Sequence, residues 1–227
     1  MLIELHDIEK VYHDGGIPVH AIHTISLGIA EGEFSAIVGP SGSGKTTLLN
    51  MIGGLDIPSR GTVALAGTSI ADMSSRQLAE FRRDNIGFIF QTFNLIPVLT
   101  VAENIEYVMV LQNVPIKERR ERVASILYDV GLEGMEDRRP NQLSGGQQQR
   151  VAIARAMVAR PQIILADETT ANIDSHTGVE LVDLMHRLNR EQGMTFLFST
   201  HDRMIMERAQ RVIKLRDGKI VEEEDRR

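Results

Sequence analysis

The stretch Gly39-Pro40-Ser41-Gly42-Ser43-Gly44-Lys45-Thr46-Thr47 constrains this chain more than any other. It fits the pattern G-x-x-x-x-G-K-[ST] and stands between an apolar run, Phe34 to Val38, and an apolar helix start, Leu48 to Ile52. A strand, a glycine-rich turn and a helix N-terminus in that order make a cradle for phosphate. Gly39, Gly42 and Gly44 let the backbone curl until successive N–H groups point inward. The helix N-terminus adds unpaired donors and a partial positive charge. Lys45 can then reach the β- and γ-phosphates of a nucleoside triphosphate, and the Thr46 hydroxyl can ligate Mg²⁺. A Gly/Ser linker with a chance lysine would lack the flanking strand and helix, so a bound triphosphate is the expectation.

The rest of the composition narrows the setting. With 227 residues the chain can build one large domain or two small lobes around a substantial core. Its net charge is −6 and it has no long basic stripe, which argues against nucleic acid as a partner. Arg82-Arg83 and Arg119-Arg120 read as solvated helix faces. The absence of cysteine excludes disulfides and thiolate metal sites and fits a reducing, cytoplasmic setting. No apolar stretch approaches the ~18–20 residues that span a bilayer, and there is no basic-then-apolar leader. A membrane role would therefore run through a separate partner chain.

Along the chain, the first thirty residues alternate and are rich in Ile and Val, which predicts antiparallel strands with a turn at His13-Asp14-Gly15-Gly16. Thr62 to Gly67 and Ile86 to Phe90 are further strand-like runs. From about residue 92 to 157 the pattern turns helical; Val123, Ile126, Leu127 and Val130 share one face and stop at Gly131. A second helix is expected from Ser144-Gly145-Gly146 to Pro161. Strand and helix alternate again through Ile163 to Ala166, Leu181 to Leu188 and Thr195 to Ser199. Val212 to Leu215 and Lys219 to Val221 predict a closing hairpin around Asp217-Gly218, with Glu222 to Arg227 as a frayed tail. The expected class is α/β: a phosphate-loop NTPase core with a mostly parallel sheet, an N-terminal antiparallel β subdomain and an inserted helical subdomain. The expected division is a single domain, with 1–91 and 158–227 as core and about 92–157 as the helical lobe. Ligand should then sit at the carboxyl ends of the strands, where Gly39, Asp167 and His201 fall.

Asp167 and Glu168 end an apolar strand, and carboxylates there need a cation or hydrogen bonds to offset their burial. Mg²⁺ carried by a nucleotide makes Asp167 its partner, and Glu168 is placed to polarise a water as general base. His201 can hydrogen-bond a γ-phosphate, and the amide of Gln91 can reach Mg²⁺ or water. Leu143-Ser144-Gly145-Gly146-Gln147 opens a helix with a second anion-binding N-terminus. Two such helix starts imply either two sites or one site built from two chains.

Taken together, these motifs resemble the ATP-binding-cassette (ABC) ATPases over essentially the whole chain and in the family's order. The phosphate loop, Gln91, the Leu143 to Gln147 signature, the Ile163 to Glu168 strand, Asn172-Ile173-Asp174 and His201 all have their counterparts. The resemblance implies ATP and Mg²⁺ as cofactors, with metal at Thr46, Gln91 and Asp167 and with Lys45, Glu168 and His201 in hydrolysis. It implies that Tyr12 stacks on adenine and that two copies join head-to-tail, one chain's phosphate loop meeting the other's Ser144, Gly145, Gly146, Gln147 and Asp174. Gly87 to Gln91, Phe93 to Leu95, Leu99 to Asn104 and Gln147 to Arg150 look like the lipoprotein-release, macrolide-export and cell-division branch. The partner there is a membrane permease with an extracytoplasmic domain, which would hold this chain on the inner face of the membrane. A soluble cassette acting on DNA or ribosomes is the alternative; it would call for a long insertion or a second cassette. A small-molecule kinase would leave the signature without a role. The sequence departs from the family at Thr169, where a proline is usual; losing that fixed φ should loosen the segment beside Glu168.

Overall fold

The computed structural model describes residues 1–15, 17–171 and 173–226. Gly16 of the expected first turn, Asn172 and the terminal Arg227 lie outside the described residues. In chain order the elements are β1 (Ile3–Asp14), β2 (Ile17–Ile29), β3 (Phe34–Val38), α1 (Lys45–Ile52), β4 (Arg60–Leu65), β5 (Thr68–Ser69), α2 (Ser75–Asn85) and β6 (Ile86–Ile89). Then come α3 (Val101–Leu111), α4 (Ile116–Asp129), a 3-10 turn (Pro140–Gln142) and α5 (Gly145–Met157). The chain closes with β7 (Ile163–Asp167), α6 (Ser175–Gln192), β8 (Thr195–Thr200), α7 (Arg203–Arg208), β9 (Arg211–Arg216) and β10 (Lys219–Asp225).

The strands form two sheets. One is antiparallel, ordered β2-β1-β4-β5; the other is ordered β10-β9-β3-β8-β7-β6 and is parallel except for β10. β3 and β8 are buried along their whole length, as central parallel strands covered on both faces must be. Their alternation divides the interior into two cores. Phe34, Ala36, Ile164, Ala166, Phe196 and Phe198 meet α5 and α6 on one face. Ile37, Ile163, Leu165 and Leu197 meet α1 and the antiparallel sheet on the other. The phosphate loop thus leaves the middle of the sheet with packed helices on either side, which fixes its backbone.

Three expectations need correction. The helix from Ser144 ends at Met157 rather than Pro161, because the chain turns at Arg160, whose φ is 54°. The acidic tail does not fray: β10 runs to Asp225 because Glu222 pairs with Lys214 and Glu223 with Arg211, at 2.8 and 2.7 Å. These charges also blunt an exposed sheet edge. Arg82 and Arg119 are not merely solvated, since their guanidinium groups reach the carbonyls of Gly54 and Val114 at 2.7 and 2.8 Å. Helix α2, of which the sequence showed only the Arg82-Arg83 face, is started by a capping box between Ser74 and Gln77 and buries Leu78 alone.

Candidate functional site

Between β3 and α1 the phosphate loop is held by contacts that only glycine permits. A Cβ on Gly39 would lie 2.1 Å from the Leu215 carbonyl oxygen. Gly44, at φ 101°, sits against the Ala21 carbonyl, where a Cβ would come within 2.7 Å. The Ser43 carbonyl accepts from Gly218 N–H at 3.0 Å, tying the loop to the β9–β10 hairpin. Lys45 is buried, and its ammonium donates to the carbonyls of Gly39 and Pro40 at 2.9 and 3.1 Å. The Ser43 hydroxyl is buried with no hydrogen-bond partner among the described residues. A cation turned inward over the loop and an unpaired donor inside it suit a phosphate chain.

Strand β8, which adjoins β3, and β7 on its far side deliver the remaining groups. Asp167, the last residue of β7, accepts from the Thr46 hydroxyl at 3.1 and 3.2 Å through its two carboxylate oxygens. A hydroxyl and a carboxylate so placed are the hard oxygen donors that Mg²⁺ takes, so the residues fit the metal. Glu168 has a φ of 47°, uncommon for a residue with a side chain, and its N–H is fixed on the Ser199 carbonyl at 2.9 Å. That conformation sets its carboxylate against His201, whose Nδ1 lies 3.0 Å from Oε1 and 2.8 Å from Oε2. One cleft of about 760 Å³ is lined by Gly39 to Gly42, Gly44 to Thr47, Gln91, Glu168 and His201. The structure therefore gathers the phosphate loop, Gln91, Glu168 and His201 around one space, with Asp167 adjoining through Thr46. This arrangement can bind a triphosphate, hold a divalent cation and position a water.

Tyr12 stands beside this cleft rather than among its lining residues. Its hydroxyl donates to Asp56 at 2.5 Å and shares a hydrogen bond with Thr47, while the Lys10 ammonium lies 4.8 Å above its ring. Burial and then the bond to Asp56 push the tyrosine hydroxyl above its ordinary range. Burial favours the neutral form of Asp56, but bonds from Lys10, Tyr12 and the Ile57 N–H outweigh it and hold this carboxyl below its usual value. Sequence reasoning missed Val19, His20 and Ala21, which form the wall of the cleft. The pairing register shifts between Lys10↔Ile22 and Val11↔His20, leaving Ala21 as a bulge; the His20 ring stacks on His23 at 5.2 Å. A bulge carries no motif, so nothing in the residue pattern marks it.

The signature residues lie elsewhere. None of Ser144, Gly145, Gly146 and Gln147 lines the cleft. Ser144 and Gln147 cap α5 reciprocally: Gln147 Oε1 accepts from Ser144 N–H at 2.9 Å, and the Ser144 hydroxyl from Gln147 N–H at 3.3 Å. A Cβ on Gly146 would meet Thr177 at 2.4 Å, so this turn packs directly on the first turn of α6. Asp174 caps that helix, accepting from Thr177 N–H at 3.0 Å; that bond draws its carboxyl below the ordinary range. Further along α5, the Arg155 guanidinium donates to the carbonyls of Asn94 and Phe93 at 2.5 and 2.8 Å. Both acceptor residues have positive φ, 49° and 56°, so Arg155 clamps the strained turn that follows Gln91. This link was also invisible in the sequence.

Comparison with known proteins agrees with this geometry. A family model described as ABC transporter matches residues 22–171. An uncharacterized ABC transporter ATP-binding protein of Thermotoga maritima is 46% identical over 96% of this chain and 93% of its own length. The macrolide export ATP-binding/permease protein MacB of Brucella melitensis is 45% identical over 100% of this chain, which spans only 35% of that protein. Among solved structures, the dimeric post-hydrolysis state of the ATP-binding cassette MJ0796 bound to ADP and Pi superimposes with a TM-score of 0.91 at 44% identity, covering 99% of each chain.

Proposed function

This chain belongs to the ABC transporter family, and from that premise we propose that it is the ATP-hydrolysing subunit that works a separate membrane permease of the lipoprotein-release or macrolide-export type. The observation that carries the reading is the single cleft in which the phosphate loop faces Glu168 and His201. Backbone donors of residues 39–47 and the Lys45 ammonium bind and orient the phosphates. Thr46, Asp167 and Gln91 would hold Mg²⁺, which when bound would neutralise charge on the transferred phosphoryl group. Glu168 orients a water in line with the γ-phosphate and takes its proton, while His201 holds the phosphate oxygens. Tyr12 receives the adenine.

Since the signature turn lies outside the cleft of its own chain, a second copy supplies it. Ser144, Gly145, Gly146, Gln147 and Asp174 of one subunit would close on the phosphate loop of the other. The solved dimer of MJ0796 with ADP and Pi and the fused permease of MacB support this reading. Among the described residues no helix is long and apolar enough to cross a membrane. We place the chain in the cytoplasm, on the inner face of the membrane, through its permease. Within the single domain, residues 1–91 and 158–227 serve as ATPase core and about 92–157 as the lobe facing the permease. An apolar groove of about 400 Å³, lined by Leu55, Phe88, Phe90, Tyr107 and Leu111, offers the docking surface.

The test combines phosphate release by the parent and Glu168→Gln proteins with capture of tagged Glu168→Gln from membranes in ATP and Mg²⁺. Loss of turnover and recovery of a permease with an extracytoplasmic domain support the proposal. Recovery of ribosomal or DNA-associated proteins alone would overturn the transport part.

A further inference from the structure

Granted that hydrolysis reading, on which this step rests, we propose that Thr170 is a positioning residue for the reaction, acting through Asp202 to hold His201 against Glu168. The side chain of His201 is 72% exposed, so packing does little to orient its ring. The chain beneath it, however, is fixed. Asp202 accepts from the Thr170 hydroxyl through Oδ2 at 2.6 Å and from Met204 N–H through Oδ1 at 2.9 Å. Its own N–H donates to the Thr200 hydroxyl at 3.0 Å. Both carboxylate oxygens of the residue next to His201 are therefore engaged, and one of them is held by the segment that carries Glu168.

Two further rungs join the same pair of segments: Glu168 N–H to the Ser199 carbonyl at 2.9 Å, and the contact between Glu168 and His201. Of the three, the bond from Thr170 to Asp202 is the one made by side chains that do not touch the reacting atoms. A hydroxyl donating to a carboxylate at 2.6 Å is a short, charge-assisted bond. Thr170 meets α6 with its other branch, since its methyl carbon is 3.9 Å from where a Cβ on Gly178 would lie. The hydroxyl and the methyl thus have separate partners, and substitution can separate them.

Thr170→Val keeps the methyl and loses the donor; Thr170→Ser keeps the donor and loses the methyl. Thr170→Val is expected to lower kcat about tenfold with KM for ATP changed less than about twofold, and Thr170→Ser to stay within about twofold of the parent in both. In protein labelled with ¹⁵N-histidine, the ring signal of His201, identified by its absence in His201→Gln, should shift in Thr170→Val and return in Thr170→Ser. A parental kcat in Thr170→Val, an equal fall in both variants, or an unmoved His201 signal would overturn the proposal. If Thr170→Val does not fold, Asp202→Asn, which can accept from only one of the two donors, is read in the same way. Glu168→Gln run alongside separates the failures. Full turnover there sinks the hydrolysis reading; loss of turnover there beside a parental Thr170→Val sinks this proposal alone.

Discussion

His201 Nδ1 lies within hydrogen-bond reach of both carboxylate oxygens of Glu168, at 2.8 and 3.0 Å. The pair joins the carboxyl ends of two neighbouring parallel strands, β7 and β8, on the side of the sheet from which the phosphate loop also emerges. A hydrogen on Nδ1 is donated to Glu168, and Nε2 reaches a phosphate oxygen as a donor when it too carries a hydrogen. The proposed base and the group proposed to hold the phosphate are thus joined directly.

Glu168→Gln keeps the shape of this side chain but removes its capacity to take a proton. ATP binding and ATP-dependent dimerisation should persist while turnover falls by at least about 100-fold. Phosphate release and size-exclusion chromatography with ATP measure the two parts; undiminished turnover would show that Glu168 is not the base.

The loop's dependence on glycine can be checked by stability alone. Gly39→Ala would drive a methyl to 2.1 Å from the Leu215 carbonyl oxygen, and backbone cannot move aside as a side chain would. A loss of about 3 kcal/mol in denaturant unfolding is expected, together with weakened nucleotide binding. An unchanged midpoint would mean that the loop does not sit where it is described.

Asp56 supplies a pH dependence. Its folded carboxyl titrates below the ordinary value of 3.8, so the stability it contributes is present above that pH and is lost as pH falls through the lower folded value. Asp56→Asn should be less stable than the parent at pH 7, with the difference closing as pH falls below 3.8 and through the lower folded value. Urea midpoints across the acid range give the answer. A gap that persists to the lowest pH would assign the loss to packing rather than to charge.

Thr169 is buried, and its hydroxyl has no hydrogen-bond partner among the described residues. Thr169→Val exchanges that hydroxyl for a methyl of similar size and should stabilise by about 1–2 kcal/mol, raising Tm by a few degrees. A fall in Tm would reveal a partner such as a bound water. Thr169→Pro tests a different property. The residue before a proline is pushed towards extended backbone, so Glu168 should lose its φ of 47° and turnover should change without loss of fold.

What could be read in the sequence was whatever a local constraint dictates. The phosphate loop announces itself because only glycines fit its backbone; the buried strands are apolar runs; Val123, Ile126 and Leu127 mark the inner face of α4 by spacing alone. Of α2 only the Arg82-Arg83 face was legible, because the helix buries Leu78 and little else, so its capping box had no apolar stripe to accompany it. The acidic end of the chain looked unpaired until β9 supplied Lys214 and Arg211 across the hairpin. His20 and Arg155 were illegible for a related reason. One depends on a bulge in strand pairing, the other on a bond to carbonyls about sixty positions away.

The Arg155 clamp has a consequence for how such a protein can diverge. It grips backbone oxygens of residues 93 and 94, not their side chains, so any residue tolerating a left-handed turn preserves the grip. The face of the neighbouring groove can therefore be rewritten to suit a different partner while the connection from the Gln91 turn to α5 stays intact. Changes in partner choice and retention of the engine are separable in inheritance because the join between them is written in main chain.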